Sequence, residues 1–117
     1  MTRCAVCRLD DIADAAMKAV RVNGRDLVLV RHGERVFAVR DVCLHQGARL
    51  SNGSLAGTTV SRRVGEYRLE RSGQILRCPW HGWEYDASDG GCLNDPARLR
   101  VPTYKVEVVN GEVVVIM

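Results

Sequence analysis

Hydrophobic and polar residues alternate in short runs along this 117-residue chain, and turn-forming residues separate the runs. Four runs flank the dipeptides Asn23-Gly24 and Asn110-Gly111 in two pairs: Met17–Val22 with Leu27–Val30, and Thr103–Val109 with Glu112–Ile116. Asn-Gly between two alternating runs is the strongest short signal for a tight β-hairpin. The pattern therefore predicts an all-β fold that is built from antiparallel hairpins.

The remaining runs are shorter. Cys4–Cys7 belongs to the first predicted strand, and Asp10–Ala13 is expected to form a short helical turn and not a full helix. Arg35–Val39 and Gln74–Arg77 are also predicted strands. Each of these two strands leads into a loop that contains one cysteine and one histidine.

The chain has room for one domain, which we place at residues 1–117. No repeat, low-complexity segment or linker divides it. The polar, glycine-containing segment Ser51–Gly57 predicts a loop, and Glu66–Glu70 alternates before the turn at Ser72-Gly73. We therefore predict an inserted loop and hairpin at about residues 51–77.

The chemistry of the chain is concentrated in two segments, Cys43-Leu44-His45-Gln46-Gly47 and Cys78-Pro79-Trp80-His81-Gly82-Trp83. Two cysteines and two histidines in paired loops are the ligands of a Rieske [2Fe–2S] centre, in which histidines replace two cysteines on one iron. A structural zinc site uses the same residue types, but its usual spacing is C-x₂₋₄-C and H-x₃₋₅-H. The mixed pairs C-x-H and C-x₂-H therefore favour the iron–sulfur centre.

On these motifs the chain resembles the Rieske ferredoxins, and the resemblance extends over most of its length. It implies stacked antiparallel sheets with two cluster-binding loops at one tip. It also implies one [2Fe–2S] cluster per chain, with Cys43 and Cys78 on the buried iron and His45 and His81 on the outer iron. The neighbouring residues gain supporting roles: turn glycines at Gly47 and Gly82, a stiffening Pro79, and apolar covers at Trp80 and Trp83.

The departures from the family pattern concern the reduction potential. Rieske centres span about −150 to +300 mV, against about −400 mV for plant-type ferredoxins, because imidazoles replace charged thiolates. High-potential respiratory members carry a further cysteine in each loop, which together form a disulfide, and a serine after the second His-Gly. This chain has Ala48, Trp80 and Trp83 at those positions. We therefore predict a potential in the lower part of the range.

Tyr85 keeps the position of a phenol that the resemblance places near the Cys43 sulfur. Its hydroxyl either reaches that sulfur, or the ring serves only for packing. The sequence leaves both roles open.

The resemblance implies an electron carrier, not an enzyme, that takes one electron from a ferredoxin reductase and passes it to a terminal oxygenase. An oxygenase itself needs a second domain with a mononuclear iron site, and the one remaining histidine, His32, is expected in a solvated loop before Gly33. Two alternatives stay open. They are the electron-transfer small subunit of a reductase complex of the nitrite reductase type, and a structural zinc-binding module.

Charge and hydropathy restrict the other partners. The net charge is only +3, and the arginines are not concentrated beside aromatic residues, so no nucleic acid partner is expected. The first residues lack the apolar region of a signal peptide, and the longest apolar run, Val113–Met117, is too short to span a bilayer. We expect a cytoplasmic monomer without a membrane partner.

The inserted segment carries more arginines than carboxylates. Its arginines are Arg62, Arg63, Arg68, Arg71 and Arg77, against Glu66 and Glu70. This segment is either a surface that steers an acidic redox partner or an ordinary solvated hairpin.

Three of the five cysteines lie outside the cluster motifs. Cys4 and Cys7 form a C-x₂-C pair, but i and i+3 face opposite sides of a strand, so Cys7 is expected to be buried and Cys4 incidental. Cys92 follows two glycines in a predicted loop and has no clear partner. A reducing compartment would keep all three as thiols.

Overall fold

The computed structural model describes residues 2–43, 48–56, 75–79, 83–93 and 99–117. These residues form nine β-strands and two 3₁₀ turns. The strands are β1 (Arg3–Arg8), β2 (Met17–Val22), β3 (Arg25–His32), β4 (Arg35–Arg40), β5 (Ser54–Ala56), β6 (Ile75–Arg77), β7 (Glu84–Asp86), β8 (Thr103–Val109) and β9 (Glu112–Ile116). The 3₁₀ turns lie at Leu9–Asp11 and Leu50–Asn52. The predicted all-β class is confirmed.

Six strands form one antiparallel sheet in the order β1-β9-β8-β4-β3-β2. Its two predicted hairpins, β2–β3 and β8–β9, are confirmed. The backbone φ angles are 51° at Asn23 and 78° at Gly24, and 51° at Asn110 and 80° at Gly111. Positive φ at both central positions defines a type I′ turn, whose twist matches that of the flanking strands. The two Asn-Gly dipeptides therefore fix the register of both hairpins.

The other three strands form a second antiparallel sheet in the order β5-β6-β7. It corrects the prediction of a loop at Ser51–Gly57, because Leu50–Asn52 is a 3₁₀ turn and Ser54–Ala56 pairs with β6. A strand of three residues is too short to show a period in the sequence. The predicted strand at Glu66–Glu70 lies outside the described residues.

Strand β3 is buried on both faces, which explains its continuous apolar run. Val28 and Val30 belong to a first core, which also contains residues of the three-stranded sheet. Leu27 and Leu29 belong to a second core, which also contains Val113 and other residues of β9. The first core also contains both motif cysteines. The six-stranded sheet therefore forms one wall of the environment around the predicted metal centre.

The N-terminal cysteines do not face opposite sides of the sheet, so that prediction is wrong. Cys4 pairs with Val115 and Cys7 pairs with Val113, so a bulge in β1 places three steps of this strand against two of β9. Residues two apart share a face, and cross-strand partners share it with them. Both thiols therefore pack, half-buried, against the second core. Burial, and then the charge of Asp11, raises the pKa of the Cys7 thiol.

His32 is the last residue of β3 and does not lie in a loop as predicted. It pairs with Arg35 and is half-buried. The turn begins one residue later, at Gly33, whose φ is 68°. The chain therefore reverses on the glycine, and the histidine still belongs to the ladder.

The described residues include no helix long and apolar enough to cross a membrane. The cytoplasmic location and the monomeric state stay predictions.

Candidate metal centre

The two cysteine loops close in the same way. The N–H of Cys43 donates to the carbonyl of Ala48 at 2.6 Å, and the N–H of Cys78 donates to the carbonyl of Trp83 at 2.8 Å. In both loops the acceptor lies five positions after the cysteine. The fold therefore presents the two Cys/His segments as a matched pair of loops, each with its cysteine at the base.

Both cysteine side chains are buried in the first core, with relative exposures of 0% for Cys43 and 2% for Cys78. Leu50, Leu76 and Val101 are buried in the same core. Thiolates are the ligands that iron–sulfur clusters use, and an apolar shell around such a site limits the access of water. The environment of the two thiols therefore suits a soft metal centre.

Tyr85 contacts the first of these thiols. It lies on β7 opposite Leu76 of β6 and is fully buried. Its hydroxyl oxygen is 3.5 Å from the Cys43 sulfur, and either atom can be the donor. A thiolate has no proton to give, so the hydroxyl donates when the sulfur is deprotonated. Packing of the ring and a contact with the sulfur therefore occur together.

The other half of the predicted ligand set lies outside the described residues. This group comprises His45 and His81, with Gly47, Trp80 and Gly82 from the same motifs. In the described ranges no three or more His, Cys, Asp or Glu side chains are grouped to hold a metal ion. The described part of the motifs contributes two thiols, an exposed Pro79 and a half-buried Trp83 that packs against the first core.

A buried carboxylate holds the stem of the first loop together. The Asp41 side chain has 0% exposure and lies two residues before Cys43. Its Oδ1 accepts the backbone N–H of Ser51 at 2.7 Å, and its Oδ2 accepts the Ser51 hydroxyl at 2.6 Å. Arg49 donates to Oδ2 from Nε at 3.2 Å and from Nη2 at 3.1 Å. One side chain therefore connects the residues before the loop with those after it.

Gly53 continues this connection to the second loop. Its N–H donates to the carbonyl of Leu50 at 3.0 Å. A Cβ at this position would lie 1.8 Å from the carbonyl oxygen of Arg77, so only glycine permits the close approach. Arg77 directly precedes Cys78. The bases of the two loops are therefore in contact through residues 50–53.

Cys92 is part of the same environment, which the sequence interpretation did not foresee. It is fully buried in the first core and forms a backbone bridge with Tyr85. Its N–H donates to the carbonyl of Leu99 at 2.9 Å. The structure therefore corrects the predicted loop position of Cys92, which lies in a backbone bridge. The return of this segment onto β7 is a tertiary contact that local sequence does not encode.

Sequence reasoning missed Asp41, Ser51 and Gly53. For Asp41 a signal existed, since an acidic residue between an apolar strand and a buried cysteine needs hydrogen-bond partners if it is buried. The sequence does not say which residues would be those partners. The glycine is visible only as a turn residue, and its contact with β6 arises from the pairing of β5.

We expect Asp41→Ala to lower the free energy of unfolding by about 2–4 kcal/mol, because it leaves the half-buried hydrogen-bond donors of Ser51 and Arg49 without their acceptor. Urea denaturation followed by circular dichroism measures the change. Asp26→Ala is the matched control, since Asp26 is 41% exposed and its ion pairs with Arg21 and Arg49 span 3.3 and 3.8 Å. The control should lose less than about 1 kcal/mol. Equal losses in the two variants would contradict the role of Asp41.

A comparison with protein families identifies the family of this chain. The model of the Rieske [2Fe–2S] domain matches residues 2–105 of the chain. The chain is a member of the Rieske [2Fe–2S] domain family. Its cofactor is therefore a [2Fe–2S] cluster, and the predicted family is confirmed.

This Rieske chain is similar to known ferredoxins over nearly its whole length. The ferredoxin component of the naphthalene 1,2-dioxygenase/salicylate 5-hydroxylase systems of a Ralstonia species is 29% identical over 113 residues, which cover 97% of this chain and 92% of the relative. The ferredoxin of carbazole 1,9a-dioxygenase from Nocardioides aromaticivorans IC177 superposes with a TM-score of 0.79 at 27% identity, covering 98% of this chain and 97% of that one. The predicted Rieske-type fold of antiparallel sheets is confirmed.

A third match comes from a complex. A chain in the solved complex of reduced oxygenase and oxidized ferredoxin in carbazole 1,9a-dioxygenase has a TM-score of 0.75 and 28% identity, and the match covers 97% of this chain and 91% of that chain. The similarity therefore includes a protein solved together with its oxygenase.

The described residues of this Rieske chain fit the cluster. Two buried thiols stand at the bases of two equally closed loops, and a hydroxyl lies within reach of one sulfur. Such donors and apolar surroundings are what a [2Fe–2S] centre with two thiolate ligands requires.

Proposed function

We propose that this protein is a one-electron carrier that passes electrons from a reductase to a terminal oxygenase. In this proposal Cys43, His45, Cys78 and His81 hold the [2Fe–2S] cluster. The observation that carries the proposal is the pair of matched loops, since each begins with a buried cysteine and continues into the segment that contains the histidine.

In this proposal the cysteine and histidine ligands have different roles. A bound Rieske cluster supplies a reversible one-electron couple. The two thiols lie inside the first core, so their ends of the loops are closed to a partner protein. The family resemblance assigns the outer iron to the two histidines, and we therefore propose His45 and His81 as the path of the electron.

The protein acts, in this proposal, as a component of an oxidoreductase system and not as an enzyme by itself. Support comes from relatives that are named ferredoxin components of dioxygenase systems. The match to the Ralstonia relative covers 92% of that protein's length. Support for an oxygenase as the acceptor comes from the solved complex of oxygenase and ferredoxin.

The proposal is tested in a reconstituted assay with a reductase and a terminal oxygenase from the same organism. We expect oxidation of the oxygenase substrate only when this chain is present, and no oxidation with Cys78→Ser. Loss of the requirement for this chain, in an assay where the purified protein shows its cluster spectrum, would contradict the carrier role.

Tyr85→Phe is expected to lower the reduction potential, because it removes a hydroxyl donor that stabilises the more negative, reduced state of the centre. A hydrogen bond worth about 1 kcal/mol more in the reduced state corresponds to about 40 mV for one electron. A potentiometric titration followed by visible absorption measures the shift. Tyr104→Phe is the matched control, since Tyr104 packs against the second core. A shift in the control, or none in Tyr85→Phe, would contradict the role given to the Tyr85 hydroxyl.

A further inference from the structure

A cleft of about 330 Å³ lies beside the first cysteine loop. Four arginines line it: Arg21, Arg25, Arg40 and Arg49. We call it the arginine cleft. Asp41 and Val42, just before Cys43, belong to the same lining, as does Arg49, just after the residue that closes the loop. Both stems of the loop therefore border the cleft.

The positive charges of the arginine cleft exceed its negative charges. Asp26 lies 3.3 Å from Arg21 and 3.8 Å from Arg49, and Asp41 lies 3.1 Å from Arg49. Four arginines against these two carboxylates leave a net formal charge of +2.

The excess charge resides on Arg25 and Arg40. In the part of the chain that the structure describes, no carboxylate lies within ion-pairing distance of either residue. Both are exposed, and they lie at the start of β3 and at the end of β4. The cleft therefore offers two accessible guanidinium groups to a ligand from solution.

We propose that the arginine cleft receives surface carboxylates of an acidic redox partner protein and thereby guides that partner to the first cysteine loop. The inference rests on the proposed function, because it makes the cleft a docking surface for electron transfer. A guanidinium group binds a carboxylate through two parallel hydrogen bonds, which fixes orientation as well as proximity. Complementary charges also raise the rate of encounter between proteins.

The composition of the cleft favours a protein over other anionic partners. Among the described residues, its lining contains no aromatic side chain on which a nucleic acid base would stack. It also includes the carboxylate of Asp26, which is 41% exposed and can accept hydrogen bonds from donors on a protein surface, whereas phosphate groups offer no donor. Val42 is the one hydrophobic side chain among the described residues that line it, whereas pockets for small molecules are mostly apolar. A protein surface, on which carboxylates are mixed with donors, matches this pattern of charges.

The first test measures binding of a dye-labelled eight-residue oligoglutamate peptide to the cluster-containing protein by fluorescence anisotropy. The test variant is Arg25→Gln with Arg40→Gln. The matched control is Arg35→Gln with Lys105→Gln, which removes the same charge near the opposite end of β4, since Arg35 is the first residue of that strand and Arg40 the last. We expect the test variant to bind about tenfold more weakly and the control to bind like the wild type.

The same protein is titrated with a labelled oligothymidylate of eight nucleotides. Tighter binding of the oligonucleotide than of the peptide, lost in the test variant, would overturn the assignment to a protein partner. Equal weakening in the test and control variants would also overturn the proposal, because net charge and not the cleft would then govern binding. The visible spectrum of the cluster is recorded for each protein. A normal spectrum with unchanged peptide binding in the test variant would contradict the role of the cleft, whereas a missing cluster spectrum in the wild type would contradict the proposed function.

A second measurement relates the cleft to electron transfer. The reduced protein is mixed in a stopped-flow instrument with ferricyanide, an anion that takes one electron and becomes ferrocyanide. We expect the test variant to react about threefold more slowly than the control at low ionic strength, and at the same rate at high ionic strength. Equal rates at low ionic strength would place the cleft away from the route of the electron and overturn the proposal.

Discussion

Cys78→Ser is expected to fold without the [2Fe–2S] cluster and to be colourless. Serine provides no thiolate, and Cys78 lies at the base of the second loop with only 2% of its surface exposed, which limits the access of a water molecule that could replace the ligand. Iron analysis of the purified protein should fall from about two atoms per chain to near zero. Circular dichroism shows whether the sheets persist.

The control for this experiment is Cys92→Ser. Cys92 is buried in the same core at 0% exposure, but it lies in neither motif. We expect the control to keep its iron, although a buried hydroxyl lowers its free energy of unfolding by about 1–3 kcal/mol. A full iron content in Cys78→Ser, or loss of iron in the control alone, would contradict the ligand assignment.

Gly53→Ala is expected to disturb both cysteine loops, although position 53 lies in neither. The added Cβ would lie 1.8 Å from the carbonyl oxygen of Arg77, which belongs to the backbone and cannot rotate away. Strand β5 must therefore separate from β6 directly before Cys78. We expect a loss of about 3 kcal/mol in the free energy of unfolding, measured by urea denaturation.

Gly91→Ala is the comparison for this variant. The nearest atom to its added Cβ is a carboxylate oxygen of the Asp89 side chain at 3.1 Å, and a side chain can move by a few tenths of an ångström. We expect a loss below about 1 kcal/mol and a normal iron content. If Gly53→Ala were as stable as Gly91→Ala, the contact between the bases of the loops would not support the site.

The elements that could be predicted from sequence are those whose cause is local. The hairpins around Asn23-Gly24 and Asn110-Gly111 follow from dipeptides that accept positive φ, and the structure has such angles at all four residues. The positions of Cys43 and Cys78 shortly after strands β4 and β6 follow from the alternating runs that precede them.

The features that sequence did not predict depend on contacts between distant segments. The bulge in β1 changes the side of the sheet on which Cys7 lies, and it is visible only in the pairing with β9. The burial of Asp41 depends on Ser51 and Arg49, which reach it after the first loop has turned back. The burial of Cys92 depends in the same way on its backbone bridge with Tyr85.

The central claim is that this chain carries a [2Fe–2S] cluster on two cysteines and two histidines. The most direct test is iron, zinc and acid-labile sulfide analysis of protein purified without oxygen, with an EPR spectrum after reduction by dithionite. We predict about two irons and two sulfides per chain, and the low average g value of a cluster with mixed histidine and cysteine ligands. One zinc per chain with no EPR signal would mean a structural Cys₂His₂ site and would contradict the electron-transfer function.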